Sequence, residues 1–166
     1  MADDDQGVVS VLTAQHRRLE KLLQTLVDAE MEEERRELLA RAGDELAVHI
    51  LAEEHVVYPQ VRARATQDIL LESLEEHLSL KRLLADLLAL SPDDETFQAK
   101  CKVLEEQGRH HHKEEEEHLF PQMKQLLDAA AQAEMGRDVL AHERQLREAG
   151  SPRERVGEQT AAAAPL

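Results

Sequence analysis

Four times along this chain, apolar residues recur at three- and four-residue steps, and each time a histidine takes one place in the stripe. Val9, Leu12, His16, Leu19, Leu23 and Leu26 form the first stripe. Leu39, Ala42, Leu46, His49, Glu53 and Val56 form the second, and Leu70, Leu74, His77, Leu80, Leu84 and Leu87 the third. Phe97, Cys101, Leu104, Gly108, His111, Glu115 and His118 form the fourth. This period belongs to amphipathic helices. An all-α, up-down-up-down four-helix bundle is therefore expected, with helices over 7–29, 33–64, 68–90 and 94–126 and a shorter one over 128–148. Ser91-Pro92-Asp93-Asp94 is a strong break. The turn near 30–34 carries no Gly or Pro and is placed by symmetry. The chain divides into a bundle over 1–148 and, from the loss of any stripe after Gly150, a flexible tail over 149–166.

The second and fourth stripes carry the same motif, 62 residues apart: His49-x-x-x-Glu53 with Tyr58-Pro59-Gln60, and His111-x-x-x-Glu115 with Phe120-Pro121-Gln122. His16 lies 33 residues before His49, and His77 lies 34 before His111. In an antiparallel hairpin, residues equidistant from the turn share a level. His77 and His111 are equidistant from residue 94, His49 and His77 from residue 63, and His16 and His49 from about residue 32. All three midpoints fall at expected turns, so the four histidines meet at one level.

Residues four apart on a helix face the same way, with Cβ atoms about 6 Å apart. Each His-x-x-x-Glu pair thus aims an imidazole and a carboxylate at one place. Unpaired, these buried groups cost several kcal/mol each, and a divalent cation compensates them economically. His16, His49, Glu53, His77, His111 and Glu115 are the expected metal ligands. Mixed imidazole and carboxylate donors suit Fe, Mn or Zn better than Ca or Mg. Glu20 is a reserve ligand. Glu54, His55 and His118 are neighbours able to orient the ligands. Glu114, Glu116 and Glu117 read as a solvated face, His110 and His112 as flanking residues turned away by about 100° each, and His142 as superficial. Pro59 and Pro121 kink or end their helices. Tyr58 and Phe120 pack in the bundle, with the alternative that Tyr58 places its hydroxyl near the site.

Composition excludes some partners. Acidic residues outnumber basic ones 35 to 20, for a net charge of -15, which disfavours nucleic acid and anionic membranes. The single cysteine, Cys101, precludes an internal disulfide and reads as a small core residue. Met1 to Gln6 has neither a basic region nor an apolar run, so no signal peptide is expected, and no stretch is apolar enough to span a bilayer. A cytoplasmic location follows from that reading.

The order His16, His49-x-x-x-Glu53 with Tyr-Pro, His77, and His111-x-x-x-Glu115 with Phe-Pro resembles the hemerythrin-like, or HHE cation-binding, family, over roughly residues 7 to 145. The resemblance implies a four-helix bundle holding two iron ions in a non-haem di-iron centre, bridged by carboxylates and an oxygen species. It also implies O2 or peroxide as a small-molecule ligand. The chain departs from the oxygen-carrying hemerythrins at Lys81, where those place a second histidine, and at Glu115, where they end on His-x-x-x-x-Asp. It looks more like the bacterial HHE proteins and the iron-sensing domain of a eukaryotic F-box subunit. Those bind iron and respond to iron, O2, peroxide or nitric oxide. The resemblance therefore favours sensing or buffering, with peroxide consumption or Fe(II) oxidation as the enzymatic alternative.

Overall fold

A computed structural model describes residues 7–166. The readings made on Met1 to Gln6, and the start of the bundle at residue 1, lie outside the described residues. Every regular element among the described residues is helical. In chain order they are α1 (Val8–Asp28), α2 (Glu32–Ala52), a π turn (Glu53–Val57), α3 (Tyr58–Gln60), α4 (Gln67–Ala89), α5 (Phe97–Glu114), a second π turn (Glu115–Leu119), α6 (Phe120–Leu126), α7 (Ala129–Glu148) and a 3₁₀ helix (Pro152–Gln159). No helix among the described residues is long and apolar enough to cross a membrane.

Local chemistry sets the ends. Three glutamates, Glu32, Glu33 and Glu34, fill the first turn of α2, where negative charge complements the helix dipole. The turn before it owes its shape to a distant contact. Arg35 donates from Nε to the Ala29 carbonyl at 2.9 Å and from Nη1 to the Pro92 carbonyl at 3.0 Å, and its guanidinium lies over the Phe97 ring. Asp94 accepts from the Thr96 amide at 2.8 Å and from its hydroxyl at 2.7 Å, so α5 starts at Phe97 rather than at 94. Asp128 caps α7 by accepting from the Ala131 amide.

Each expected proline interruption is met by a π turn, and at Pro59 the helix also ends, one residue on at Gln60. Proline has no N–H to donate and its ring crowds the carbonyl four residues back. Just before Pro59, the Tyr58 amide donates to the carbonyl of Glu53, five residues back, and the Phe120 amide does the same to Glu115 before Pro121. The wider turn accommodates each proline, and past Pro121 the helical path runs on to Leu126.

α1 packs against α2, α5 and α7, and α4 packs against α5 and α2. Two apolar clusters result. One gathers Leu23, Leu26, Leu46, Leu84, Leu87 and Phe97; the other gathers Leu12, Val57, Leu70, Leu74, Leu119 and Met123. The helices α1, α2, α4 and α5, followed into their π turns, each change cluster around their buried histidine. α1 passes from Leu12 to Leu19 across His16, and α4 from Leu74 to Leu80 across His77. The chain through α2 and its π turn passes the other way, from Leu46 to Val57 across His49, and that through α5 from Leu104 to Leu119 across His111. A buried polar layer therefore divides the core.

The expectation of a flexible tail over 149–166 is corrected. Gly150, at φ 139°, turns the chain back, and Pro152–Gln159 packs on α2 and α4. Val156 joins the first apolar cluster at 2% exposure, and Arg153 Nη1 donates to Asp44 at 2.7 Å. Gly43 makes room: a Cβ there would lie 3.2 Å from Arg153 Cβ and 3.3 Å from Leu84 Cδ1. The stripe rule misses this segment because a 3₁₀ helix anchored by two buried residues, Pro152 and Val156, has no 3.6-residue period. Val156→Asp should lower the unfolding free energy by about 2 kcal/mol, since the apolar area it covers returns to water. Urea titration of the two proteins checks this.

Candidate metal centre

The polar layer is built from the two repeated motifs and the two lone histidines. His16, His49, Glu53, His77, His111 and Glu115 all lie in it, each 2% exposed or less. Their donor atoms form two groups. His16, His49, Glu53 and Glu115 have one donor each within 4.8 Å of one another, and so do Glu53, His77 and His111. Glu53 belongs to both. Glu115 Oε1 lies 3.5 Å from His16 Nε2 and 3.1 Å from His111 Nε2, so it too stands between the groups.

The imidazoles are fixed from behind by oxygens. His16 Nδ1 lies 3.1 Å from Glu116 Oε2, His49 Nδ1 2.7 Å from Gln15 Oε1, and His77 Nδ1 3.1 Å from Glu54 Oε1. His111 Nδ1 lies 3.5 Å from Glu76 Oε1. An N–H on Nδ1 of His16, His49 and His77 donates to the oxygen behind it and leaves Nε2 with a lone pair aimed inward, whereas His111 Nδ1 makes no hydrogen bond. The former arrangement is typical of histidines that bind metal. Glu54 is itself held by Lys81 Nζ at 3.0 Å.

That inward set tests whether the residues fit a metal ion. His16 Nε2, His49 Nε2, Glu53 Oε1 and Glu115 Oε1 are buried and make no hydrogen bond, although His49 Nε2 and Glu53 Oε1 lie in close contact. His77 Nε2 and His111 Nε2 approach to 3.0 Å. The donor atoms without a hydrogen bond are uncompensated in the buried layer, and a cation between them would satisfy them. Nitrogen and carboxylate donors together suit iron, manganese or zinc.

Electrostatics agree. Burial, then the neighbouring imidazoles His16 and His112, holds His49 well below the usual histidine range. Burial also lowers His77 despite Glu54. Both stay neutral, as coordination requires. Burial and the adjacent Glu115 push Glu53 well above the usual carboxylate range. Burial opposes ionisation of Glu115 as well, but His111 beside it outweighs that and holds its carboxyl low. His111 is raised to about 9: burial alone would lower it, but Glu115 and Glu76 prevail. Without a cation, then, protonation is favoured at Glu53, and His111 and Glu115 form an ion pair. Metal binding has to displace those protons, so affinity weakens in acid.

Tyr58, 1% exposed, brings its hydroxyl into the layer. That oxygen lies 2.7 Å from Glu53 Oε2, 2.9 Å from Glu115 Oε2 and 3.3 Å from His77 Nε2. Its single proton serves either carboxylate, and burial beside both raises the phenol well above its ordinary value. Of the two positions open to Tyr58, the structure shows the one at the site. Phe120 occupies the equivalent place in the other repeat and stacks near His16, at 5.6 Å between centroids.

The neighbours sort differently from expectation. His112 is fully buried, not turned away, and stacks on His16 with centroids 4.0 Å apart. The 100° rule fails because α5 packs against both α4 and α1. His111 meets His77 on one side, and His112 meets His16 on the other. Glu116 is not simply solvated, since it holds His16 and is held in turn by Arg17. Glu20 faces His112 rather than the donor groups, with Oε1 3.3 Å from His112 Nδ1. His55 is exposed and pairs with His142 at 2.9 Å. His118 is exposed beside Glu114 and Glu117, and His110 is exposed as well. Cys101 is buried in the first cluster with its thiol pushed up to about 11 by that burial.

A line of contacts also runs out to α7. Gln15, which holds His49, donates from Nε2 to Glu143 Oε2 at 3.0 Å. Burial pushes the Glu143 carboxyl up to about 7 from an ordinary 4.5, against the pull of Gln15 and Arg147. The folded protein therefore binds this proton more tightly than the unfolded chain does. Stability from this group is fullest below about pH 4.5 and is lost as pH rises through about 7. Glu143→Gln should melt higher than the parent above that pH, with the difference closing towards pH 4.5, in thermal scans across the range.

Similarity to known proteins agrees with the donor set. Over 100 residues, 60% of this chain, the sequence is 27% identical to a protein of Nostoc sp. named DNA nickase. The match covers 28% of that protein, so the chain spans about a quarter of the length of this curated relative. No solved structure matches the chain. Residues 7–123 match the hemerythrin HHE cation-binding domain, a span that contains all six expected donors and both aromatic-proline endings. The chain belongs to the hemerythrin HHE cation-binding domain family.

Proposed function

We propose that this protein is a non-haem di-iron protein of the hemerythrin type that senses or buffers iron and oxygen species (O2, peroxide or nitric oxide). The observation that carries this reading is the pair of buried donor groups sharing Glu53. A carboxylate common to two groups is the arrangement that holds two ions side by side in helical bundles. His16 and His49 would hold one ion, His77 and His111 the other, with Glu53 and Glu115 between them. The alternation of helix direction between the two apolar clusters supports an up-down-up-down bundle as the frame.

Two iron ions would supply redox chemistry and open positions for small oxygen-containing ligands. The chain's own residues do the rest. Oxygens behind the imidazoles of His16, His49 and His77 fix the rings and keep Nε2 inward. The apolar clusters on both sides exclude bulk water. The Tyr58 hydroxyl keeps a proton within reach of Glu53 and Glu115. A cytoplasmic, reducing location fits a chain with one buried free thiol.

The enzymatic alternative, peroxide consumption or Fe(II) oxidation, draws on Tyr58, a buried proton donor beside the site. The nicking activity named for the Nostoc relative is not carried over. A net charge of -15 opposes binding to a phosphate backbone. The iron-loaded chain should bind iron reversibly and consume peroxide no faster than the same iron free in buffer. Steady peroxide turnover that is lost in His49→Ala would instead establish the enzyme.

A further inference from the structure

We infer that His112 is a fifth imidazole ligand, so that the position held by His16 and His49 carries three histidines while the position held by His77 and His111 carries two and is the open one. This rests on the reading that the layer holds two metal ions.

His112 shares its burial and an oxygen facing its Nδ1 with the other histidines, and its donor group is with His16 and His49. Its side chain is buried in the same layer. Its Nδ1 faces a carboxylate oxygen, Glu20 Oε1, at 3.3 Å, and Glu20 is anchored by Arg17, whose Nη1 reaches both carboxylate oxygens at 2.9 Å. A proton on Nδ1 leaves the Nε2 lone pair free. That Nε2 is buried and has no hydrogen-bond partner. His16, His49 and His112 each place one donor within 4.8 Å of the others. The His112 ring stacks on that of His16, 7° from parallel with centroids 4.0 Å apart, so the two in-plane lone pairs meet on one ion once one of the rings turns. If His112 served only to pack, a phenylalanine or leucine would fill the space without stranding a nitrogen.

The other position lacks such a supplement. One turn beyond His77, Lys81 sends its Nζ to Glu54 Oε2 at 3.0 Å, away from the donor groups. Among the described residues, the group around His77 holds two imidazoles and the shared Glu53. The Tyr58 hydroxyl, 3.3 Å from His77 Nε2, adjoins this less-saturated position. An added small ligand is therefore directed to the His77 and His111 side.

The test loads the full chain with Co(II) and counts the paramagnetically shifted, exchangeable imidazole N–H resonances in protein carrying ¹⁵N-histidine. Each ligating histidine contributes one from its Nδ1–H. Five resonances are expected, and His112→Gln should remove one while leaving the others. The same variant should keep about one tightly held ion per chain where the parent keeps two after brief chelation. Four resonances in the parent, or five that persist in His112→Gln, would overturn the inference while leaving the metal centre intact. No shifted resonance at all would sink the centre itself and the inference with it. Because the count is made first on the unaltered protein, it does not depend on the variant folding.

Discussion

Anaerobic Fe(II), added to a hundredfold excess over its dissociation constant, should raise the melting temperature by about 5–10 °C. Binding to the folded form alone contributes about 2.7 kcal/mol at that excess, and about 2–4 °C accompanies each kcal/mol in a chain of this size. The physical source is the polar layer. Without a cation, the inward nitrogens and oxygens of His16, His49, Glu53 and Glu115 are buried and unsatisfied. The His77 and His111 nitrogens face each other at 3.0 Å. The unfolded chain has no such convergence, so a cation that relieves it binds the folded state selectively. The shift should shrink in acid, because Glu53 and His111 must lose protons to coordinate. Thermal scans with and without iron, at neutral pH and near pH 5, check both statements. A melting temperature indifferent to iron would favour a purely structural bundle.

Glu53→Gln should abolish binding of both ions, whereas His49→Ala should cost chiefly one. Glu53 belongs to both donor groups and His49 to one of them. The metal-free fold should barely notice the change. Burial and Glu115 both push the Glu53 carboxyl towards its protonated form, and glutamine matches the shape of a protonated glutamate. The Tyr58 hydroxyl can donate to the amide oxygen as it does to Glu53. The expected change in metal-free stability is under about 1 kcal/mol. Metal content after desalting, beside a thermal scan of each metal-free protein, separates loss of the site from loss of the fold. A Glu53→Gln protein that kept one ion would show that Glu53 does not serve both positions.

Much of the fold and of the centre is legible in the order of residues alone. The stripes locate α1, α4 and the helical paths Glu32–Gln60 and Phe97–Leu126 to within a few residues, because a helix that buries one face must repeat its apolar residues. The equal spacing of His16, His49, His77 and His111 about the turns brings them to one layer, where the structure places them together. What stays hidden depends on more than one helix at a time. The first turn takes its shape from Arg35 reaching Pro92 across 57 positions of sequence. The π turns are half-visible: the prolines mark an interruption, but the five-residue hydrogen bond that resolves it leaves no residue signature. His112 escapes the helical wheel because a wheel assumes one inward direction, and α5 has two inward neighbours. The oxygens behind the imidazoles all come from other elements of the chain. Glu116 reaches His16 across 100 positions, and Glu20 reaches His112 across 92. No spacing rule finds such partners.

Iron content and optical spectrum, taken after anaerobic Fe(II) loading, desalting and exposure to air, test the central claim most directly. The account predicts about two irons per chain, with near-ultraviolet charge-transfer bands that appear on exposure to air. Less than about half an iron per chain, with no such bands, would contradict it.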